Sequence, residues 1–157
     1  MSEPPTPLHS AHPWRGFFLR YVGATFALNL IWEIAQLPLY TIWNQGSSAA
    51  LTFAVLHCTL GDVMISCLAL LGSVLCLGNL QWPRERYVAV AAASVAAGLA
   101  YTGYSEWLNV YVRKSWAYSG LMPKVMGVGL SPLLQWLVIP TAAFAYLSQR
   151  PPAPDAH

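Results

Sequence analysis

Four long apolar stretches follow one another along the chain, separated by shorter polar or Gly- and Pro-containing segments. They cover about residues 17–43, 49–77, 87–112 and 131–147. A helix needs about 20 apolar residues to cross the hydrocarbon core of a bilayer, so the first three stretches are long enough and the fourth is somewhat short. The pattern predicts an all-α integral membrane protein, built as a bundle of four transmembrane helices.

The segments between and around these stretches predict where helices are absent. Residues 1–13 and 149–157 are polar and Pro-rich and predict disordered tails on either side of a transmembrane domain at 14–148. Ser119–Leu130 is too rich in Gly for a helix and predicts a partly ordered loop between the third and fourth helices. Ser131 and Pro132 predict the start of the fourth helix, with Ser131 as the N-cap.

Composition supports the membrane class. The residues are 56% hydrophobic and 9% charged, whereas soluble domains are about 25% charged. A soluble domain is therefore excluded, and so is a disordered chain, which would be poor in aromatic and branched apolar residues. Eight Lys and Arg against six Asp and Glu leave no basic excess for nucleic acid.

The distribution of basic residues predicts an orientation. Cytoplasmic loops carry an excess of Lys and Arg. With the N-terminus inside, five basic residues lie inside and three outside. The inside set is Arg15, Arg20, Arg84, Arg86 and Arg150, and the outside set is Arg113, Lys114 and Lys124. The sequence thus favours both termini inside, in a multi-pass protein of a bacterial-type inner (plasma) membrane.

Half of the acidic residues lie inside the predicted spans. These are Glu33, Asp62 and Glu106. A charged carboxylate at the centre of a membrane helix costs about 2.5–3.5 kcal/mol on insertion scales. Such residues face the interior of the bundle and mark functional sites by default, so we expect these three to form the chemical centre of the protein.

Other polar residues share helical faces with these acids. Asn29, Glu33, Gln36 and Tyr40 follow the spacing i, i+4, i+7, i+11, and Thr102, Glu106, Asn109 and Arg113 repeat it. With alternating helix directions, the three acids, His57 and Gln135 fall in the same half of the membrane. We expect one polar cavity there, under the loop between the third and fourth helices.

The candidate residues fall into two sets. The candidate catalytic residues are Glu33, Asp62, Glu106 and His57. The candidate ligand-binding residues are Asn29, Gln36, Tyr40, Trp107, Asn109, Arg113, Lys114, Trp116, Tyr118 and Gln135. Structural roles remain open: Glu106 as an ion-pair partner of Arg113 or Lys114, those two cations as interface anchors, and His57 as a structural histidine about 140° around its helix from Asp62.

Cofactor chemistry is not predicted. Glu33, His57, Asp62 and Glu106 include the ligand types of a carboxylate and histidine metal site. However, no ExxH pair occurs, which is the usual signature of di-metal helical bundles. We therefore predict no cofactor and keep this metal site as a minor alternative.

Two short segments resemble parts of known membrane enzymes. Asn29, Trp32-Glu33 and Tyr40 resemble the Trp-Glu helix of membrane meroterpenoid cyclases, which have more helices. Trp116-Ala117-Tyr118 followed by Pro123 is similar to a segment of carotenoid cyclases. What these resemblances imply is acid-base chemistry on an apolar substrate, and the sequence is assigned to neither family.

Three functions are compatible with these patterns. The first is an intramembrane acid-base enzyme that acts on or binds a lipophilic small molecule. The second is a small proton-coupled transporter working as an oligomer, which resembles the small multidrug exporters in architecture. The third is an accessory or assembly subunit of a larger membrane complex. The expected partners are membrane lipids, a lipophilic small molecule, and a second copy or another membrane protein.

Overall fold

Four long helices form the structure, which is a computed structural model describing residues 13–149. The helices and strands are α1 (Pro13–Gln36), α2 (Ile42–Gln45), α3 (Ser48–Leu77), α4 (Tyr87–Trp107), β1 (Lys124–Val125), β2 (Val128–Gly129) and α5 (Leu130–Ser148). A 3-10 turn at Leu37–Leu39 follows α1, and a π-helical turn at Leu108–Val112 extends α4. The predicted tails, apart from Pro13 and Gln149, lie outside the described residues.

All four long helices are long and apolar enough to cross a membrane. The candidate spans are Trp14–Leu39, Ser48–Leu77, Tyr87–Val112 and Leu130–Ser148. Large apolar side chains are exposed on the outer surface; Leu19, Phe53 and Leu75, for example, are 66%, 67% and 76% exposed. Such a surface is unfavourable in water and is what a bilayer would cover. The predicted four-helix bundle is confirmed at this level, and a multi-pass membrane protein is indicated.

The first helix ends earlier than predicted. The predicted stretch ran to residue 43, but α1 ends at Gln36. Pro38 lies in the following 3-10 turn. Proline has no N–H to donate and restricts the residue before it, so the α-helix stops there. The chain then turns at Tyr40 before the short α2, although its residues remain apolar.

The start of the fourth helix also differs from the prediction. The helix begins at Leu130, after Gly129 in the N-cap position. Ser131 therefore lies inside the first turn, and its hydroxyl donates to Gln36 Oε1 (2.9 Å) instead of capping the helix. Predicting Ser131 as the N-cap was wrong because a partner on α1 takes its hydroxyl.

The long helices are arranged in a ring, with α1 and α4 each packed against both α3 and α5. The start of α1 meets the end of α5, where the rings of Tyr21 and Phe144 are 5.1 Å apart. The end of α1 meets the start of α5, where Gln36 donates to Gln135. Neighbouring helices therefore run antiparallel, and the bundle has two different ends.

We call these ends the aromatic end and the polar end. The aromatic end is packed by Phe17, Tyr21, Trp82, Tyr87 and Phe144, which form stacked and edge-to-face ring contacts. The polar end contains most of the candidate site residues. The hairpin of β1 and β2 lies at the polar end, where Tyr111 donates to Gly127 O (2.7 Å).

Candidate functional site

The side chain of Gln135 is the centre of a polar cluster inside the bundle. Its amide nitrogen lies 2.9 Å from Asn29 Oδ1, 2.9 Å from Glu33 Oε1 and 2.8 Å from Asp62 Oδ2. An amide group has only two hydrogens, so three oxygens compete for them. Gln135 thus joins residues of α1, α3 and α5 at one point. We define the polar cluster as Asn29, Glu33, Gln36, Asp62 and Gln135.

A second amide extends the polar cluster along α1. Gln36 Nε2 donates to Glu33 Oε1 (2.6 Å) and to Gln135 Oε1 (3.2 Å). Its oxygen accepts from Ser131, whose own oxygen accepts from the Trp32 indole (3.2 Å). These bonds hold the two glutamine side chains in fixed orientations, so Glu33 Oε1 has two fixed donors.

Glu33 and Asp62 form a carboxyl pair, since one nitrogen atom, Gln135 Nε2, lies within hydrogen-bond distance of an oxygen of each. Two carboxylates this close repel each other, which favours a state in which one of the two carries a proton. The hydrogen-bond donors to the pair are the two glutamine amides. The cations of the polar end, Arg113, Lys114 and Lys124, are exposed and do not bond to the pair.

Glu106 forms a separate group with two aromatic residues. Its Oε2 accepts from the Tyr118 hydroxyl at 2.5 Å and from the Trp116 indole at 3.4 Å. The Tyr118 oxygen in turn accepts from Gly129 N (2.9 Å), which is the backbone just before α5. We call Glu106, Trp116 and Tyr118 the Glu106 group. Glu106 is buried and bonds to these aromatic residues, not to Arg113 or Lys114.

Two loops meet above these groups in a short antiparallel bridge. Tyr40 pairs with Tyr118, Thr41 N donates to Ala117 O (3.0 Å), and Ser119 N donates to Leu39 O (2.9 Å). The rings of Tyr40 and Tyr118 are 5.7 Å apart. This loop bridge closes the polar end between the end of α1 and the start of α5.

The two tyrosines of the loop bridge are held in the protonated form. Burial and the hydrogen bond to Glu106 raise the pKa of Tyr118 above its ordinary value. Burial raises the pKa of Tyr40 as well, and the nearby Glu106 and Glu33 carboxyl groups raise it further. Both phenols therefore stay neutral at physiological pH, and the Tyr118 hydroxyl remains a donor to Glu106.

The structure does not bring every candidate residue to this place. His57 is exposed and stacks on Phe53 with ring centroids 5.3 Å apart, because its position on α3 turns it away from Asp62. Trp107 is 48% exposed and Arg113 and Lys114 are exposed. Asn109 is buried but bonds to Ser105 one turn earlier in the same helix.

Three contributors to the site were missing from the candidate sets. Ser131 lies four residues before Gln135, so both are on one helical face, and this spacing was a usable signal. Trp32 comes directly before Glu33 and reaches Ser131. The backbone N–H of Gly129 donates to the Tyr118 hydroxyl. A backbone contact of this kind cannot be predicted from a pattern of side chains.

The arrangement of the carboxyl groups does not favour a metal centre. Within residues 13–149, no group of three or more His, Cys, Asp or Glu side chains is placed to hold a metal ion. Two acids form the carboxyl pair, Glu106 bonds to aromatic residues, and His57 points outward. The four ligands considered from the sequence therefore do not converge on one point.

Comparisons with known proteins add no assignment. No known protein family, curated protein or solved structure matches this chain. The function is therefore argued from the polar cluster, the Glu106 group and the helices that carry them.

Proposed function

We propose that this protein performs intramembrane acid-base chemistry on a lipophilic small molecule, with the Glu33–Asp62 carboxyl pair as its reactive centre. The observation that carries this proposal is the contact of both carboxyl groups with the same amide nitrogen of Gln135, which holds them side by side. A pair that shares one proton offers a proton donor and a proton acceptor side by side. Two carboxyl groups with different proton occupancy are a recurring arrangement in acid-base enzymes.

The surrounding amides support a division of roles. Gln135 donates to both members of the pair, and Gln36 donates to Glu33 only. In our proposal the protonated member transfers its proton to a basic atom of the substrate. The ionised member accepts a proton released from the substrate, and the amides hold both carboxyl groups in place.

The setting in the membrane completes the proposal. We place both termini on the cytoplasmic side of a bacterial-type inner membrane, with the polar end and its partly ordered third loop in the outer half. The exposed Arg113 and Lys114 would there be available to a phosphate or head group. The substrate would enter from the lipid, beneath the loop bridge.

The test compares neutral replacements of the carboxyl pair with wild type. Glu33→Gln and Asp62→Asn remove the exchangeable carboxyl proton and keep the size of the side chain. We expect each to lower formation of the lipid product about 100-fold or more, as loss of a general acid or base does. The measurement is untargeted mass spectrometry of membrane lipids from the organism of origin carrying each variant.

Glu85→Gln is the matched control, since Glu85 is exposed in the loop between α3 and α4, where its carboxylate accepts from Asn79. It should leave the lipid profile unchanged. Unchanged lipids in both pair variants, with the protein inserted and folded, would overturn the proposal. Proton flux in liposomes that disappears in Glu33→Gln would favour the transporter, and a fixed protein partner in the purified sample would favour the accessory subunit.

A further inference from the structure

A groove of about 600 Å³ lies between α4 and α5 at the aromatic end of the bundle. It is lined along α4 from Tyr87 to Leu99 and along α5 from Thr141 to Ser148. The small side chains that leave this space open are Ala91, Ala92, Ala96 and Ala145. We call it the α4–α5 groove. No residue of the polar cluster lines it, so its ligand is a question separate from the proposed function.

The α4–α5 groove presents hydrocarbon and no hydroxyl donor. Three of its lining residues carry a hydroxyl group. Tyr87 and Thr141 each donate this hydrogen to a backbone carbonyl oxygen at 2.6 Å, and Ser148 does so at 2.8 Å. The remaining lining side chains are apolar. A polar ligand would lose hydrogen bonds to water on entering this groove, whereas an apolar chain would lose none.

The dimensions of the groove suit a single hydrocarbon chain. The distance along α4 from Tyr87 to Leu99 is about 18 Å at 1.5 Å per residue. One leaflet contributes about 15 Å to the hydrocarbon core of a bilayer. A volume of about 600 Å³ over about 18 Å gives a mean cross-section of about 33 Å². A helix with its side chains is about 10–12 Å wide, so a helix could only lie over the groove, while an acyl chain can fill it.

Positive charge surrounds the end of the groove that lies at the membrane interface. The candidate span of α4 begins at Tyr87, and the exposed Arg86 directly precedes it. Among the described residues of the aromatic end, the exposed charged side chains are three cations, Arg15, Arg84 and Arg86, and one acid, Glu85. This excess of positive charge favours an anionic head group over a zwitterionic one.

The start of α4 adds backbone donors at the same place. The first N–H groups of a helix have no acceptor within the helix and attract anions. Arg86 occupies the N-cap position of α4 and makes no side-chain capping bond within the described residues. The C-terminus of α5 is close by and has the opposite partial charge, so the arginine side chains are needed for a net preference for anions.

We propose that the α4–α5 groove binds an anionic phospholipid, with one acyl chain in the groove and the phosphate at Arg86 and the first turn of α4. The lipid comes from the leaflet that faces the aromatic end. It fills a gap between two helices of the bundle, and it is a ligand distinct from any substrate of the polar cluster.

The experiment is native mass spectrometry of the purified full-length protein, delipidated in detergent and titrated with dioleoylphosphatidylglycerol or dioleoylphosphatidylcholine. We expect one phosphatidylglycerol to bind about tenfold more tightly than phosphatidylcholine, since the two lipids differ in head-group charge. Glycerol phosphate carries the anionic group without acyl chains and should not displace the bound lipid.

Two pairs of variants test the two halves of the site. Ala92→Leu fills the groove and should weaken binding about tenfold, whereas Ala97→Leu, at an exposed position of α4 outside the groove, should bind like wild type. Arg86→Gln should weaken binding about fivefold, and Arg86→Lys should keep most of the affinity because it keeps the charge. Thermal unfolding without added lipid checks that every variant remains folded.

Any of four results would overturn the inference. These are equal affinity for the two phospholipids, wild-type affinity in folded Ala92→Leu, displacement of the lipid by glycerol phosphate, and a protein dimer that Ala92→Leu abolishes. The last result would show that a second copy covers the groove.

Discussion

At the scale of single residues, Gln135 orients the carboxyl groups of Glu33 and Asp62. Its amide nitrogen contacts oxygens from two helices besides its own. The helical spacing of Asn29, Glu33 and Gln36 and the depth of Asp62 were enough to predict that these side chains lie near one another. The contact of Glu33 and Asp62 with one nitrogen of Gln135 could not be predicted, because depth alone does not fix the rotation of the helices about their axes.

Tyr118 leads to a prediction about pH. Its phenol is neutral in the fold because burial and Glu106 raise its pKa. A group with a raised pKa contributes stability that is present below its ordinary value, about pH 10, and is lost as pH rises towards the raised value. We expect Tyr118→Phe to lose less stability between pH 10 and 12 than wild type does.

The measurement is the thermal unfolding midpoint in detergent as a function of pH. Tyr101→Phe is the control, because Tyr101 is exposed on α4 and its removal should leave the slope of wild type. Equal slopes in Tyr118→Phe and wild type would contradict the prediction. At pH 7 the same variant should be less stable than wild type, by about 1–3 kcal/mol, since Glu106 and Gly129 lose a buried partner.

At the scale of elements, periodicity and length found the four long helices but not their ends. Pro38 ends α1 within a run of residues that remains apolar, so hydropathy did not predict the end of the helix. Serine is a common N-cap residue. The position of α1 nevertheless allows the Ser131 hydroxyl to bond to Gln36 instead of capping α5. Boundaries and rotamers at helix ends thus depend on neighbouring helices, which a local pattern does not contain.

The contact between α4 and α5 leads to a second prediction. The Trp136 ring packs directly on Gly98, and a Cβ at that position would overlap ring atoms. Gly98→Ala should therefore push the helices apart and destabilise the protein by about 1–3 kcal/mol. Since Trp136 directly follows Gln135, whose amide bonds to Glu33 and Asp62, formation of the proposed product should fall together with stability.

Gly103→Ala on the same helix is the matched control. There the added Cβ would lie 3.9 Å from Leu133 Cδ2, an ordinary contact, and the alanine should be neutral or slightly stabilising because it favours the helix. Unfolding in mixed micelles measures both variants. Equal stability of Gly98→Ala and Gly103→Ala would show that the close approach of the two helices is not required.

At the scale of the whole molecule, the ring of antiparallel helices puts both ends of the described chain at the aromatic end. The distribution of Lys and Arg favours the cytoplasm for that end. We expect green fluorescent protein fused after the C-terminus to fluoresce, and periplasmic alkaline phosphatase fused there to be inactive. Alkaline phosphatase inserted in the loop at residues 119–121 should be active. The reverse pattern of activities would show that the termini lie on the periplasmic side.

The loop bridge is the feature of the whole molecule that the sequence did not predict. Tyr40 and Tyr118 are far apart in the chain, and the segments around them have neither strand length nor alternation. The sequence predicted only that an ordered piece would cover the polar end. Backbone pairing between two distant loops depends on helix positions that are established only once the bundle has formed.

The polar cluster is divided between two helical hairpins. The first, α1 with α3, supplies Asn29, Glu33, Gln36 and Asp62, and the second, α4 with α5, supplies Gln135. Gln135 finds all of its acceptors on the first hairpin. Each hairpin inserted alone would therefore expose unsatisfied polar groups to lipid. The polar cluster is consequently completed only when the two hairpins assemble, and under the proposed function a misassembled molecule would be inactive.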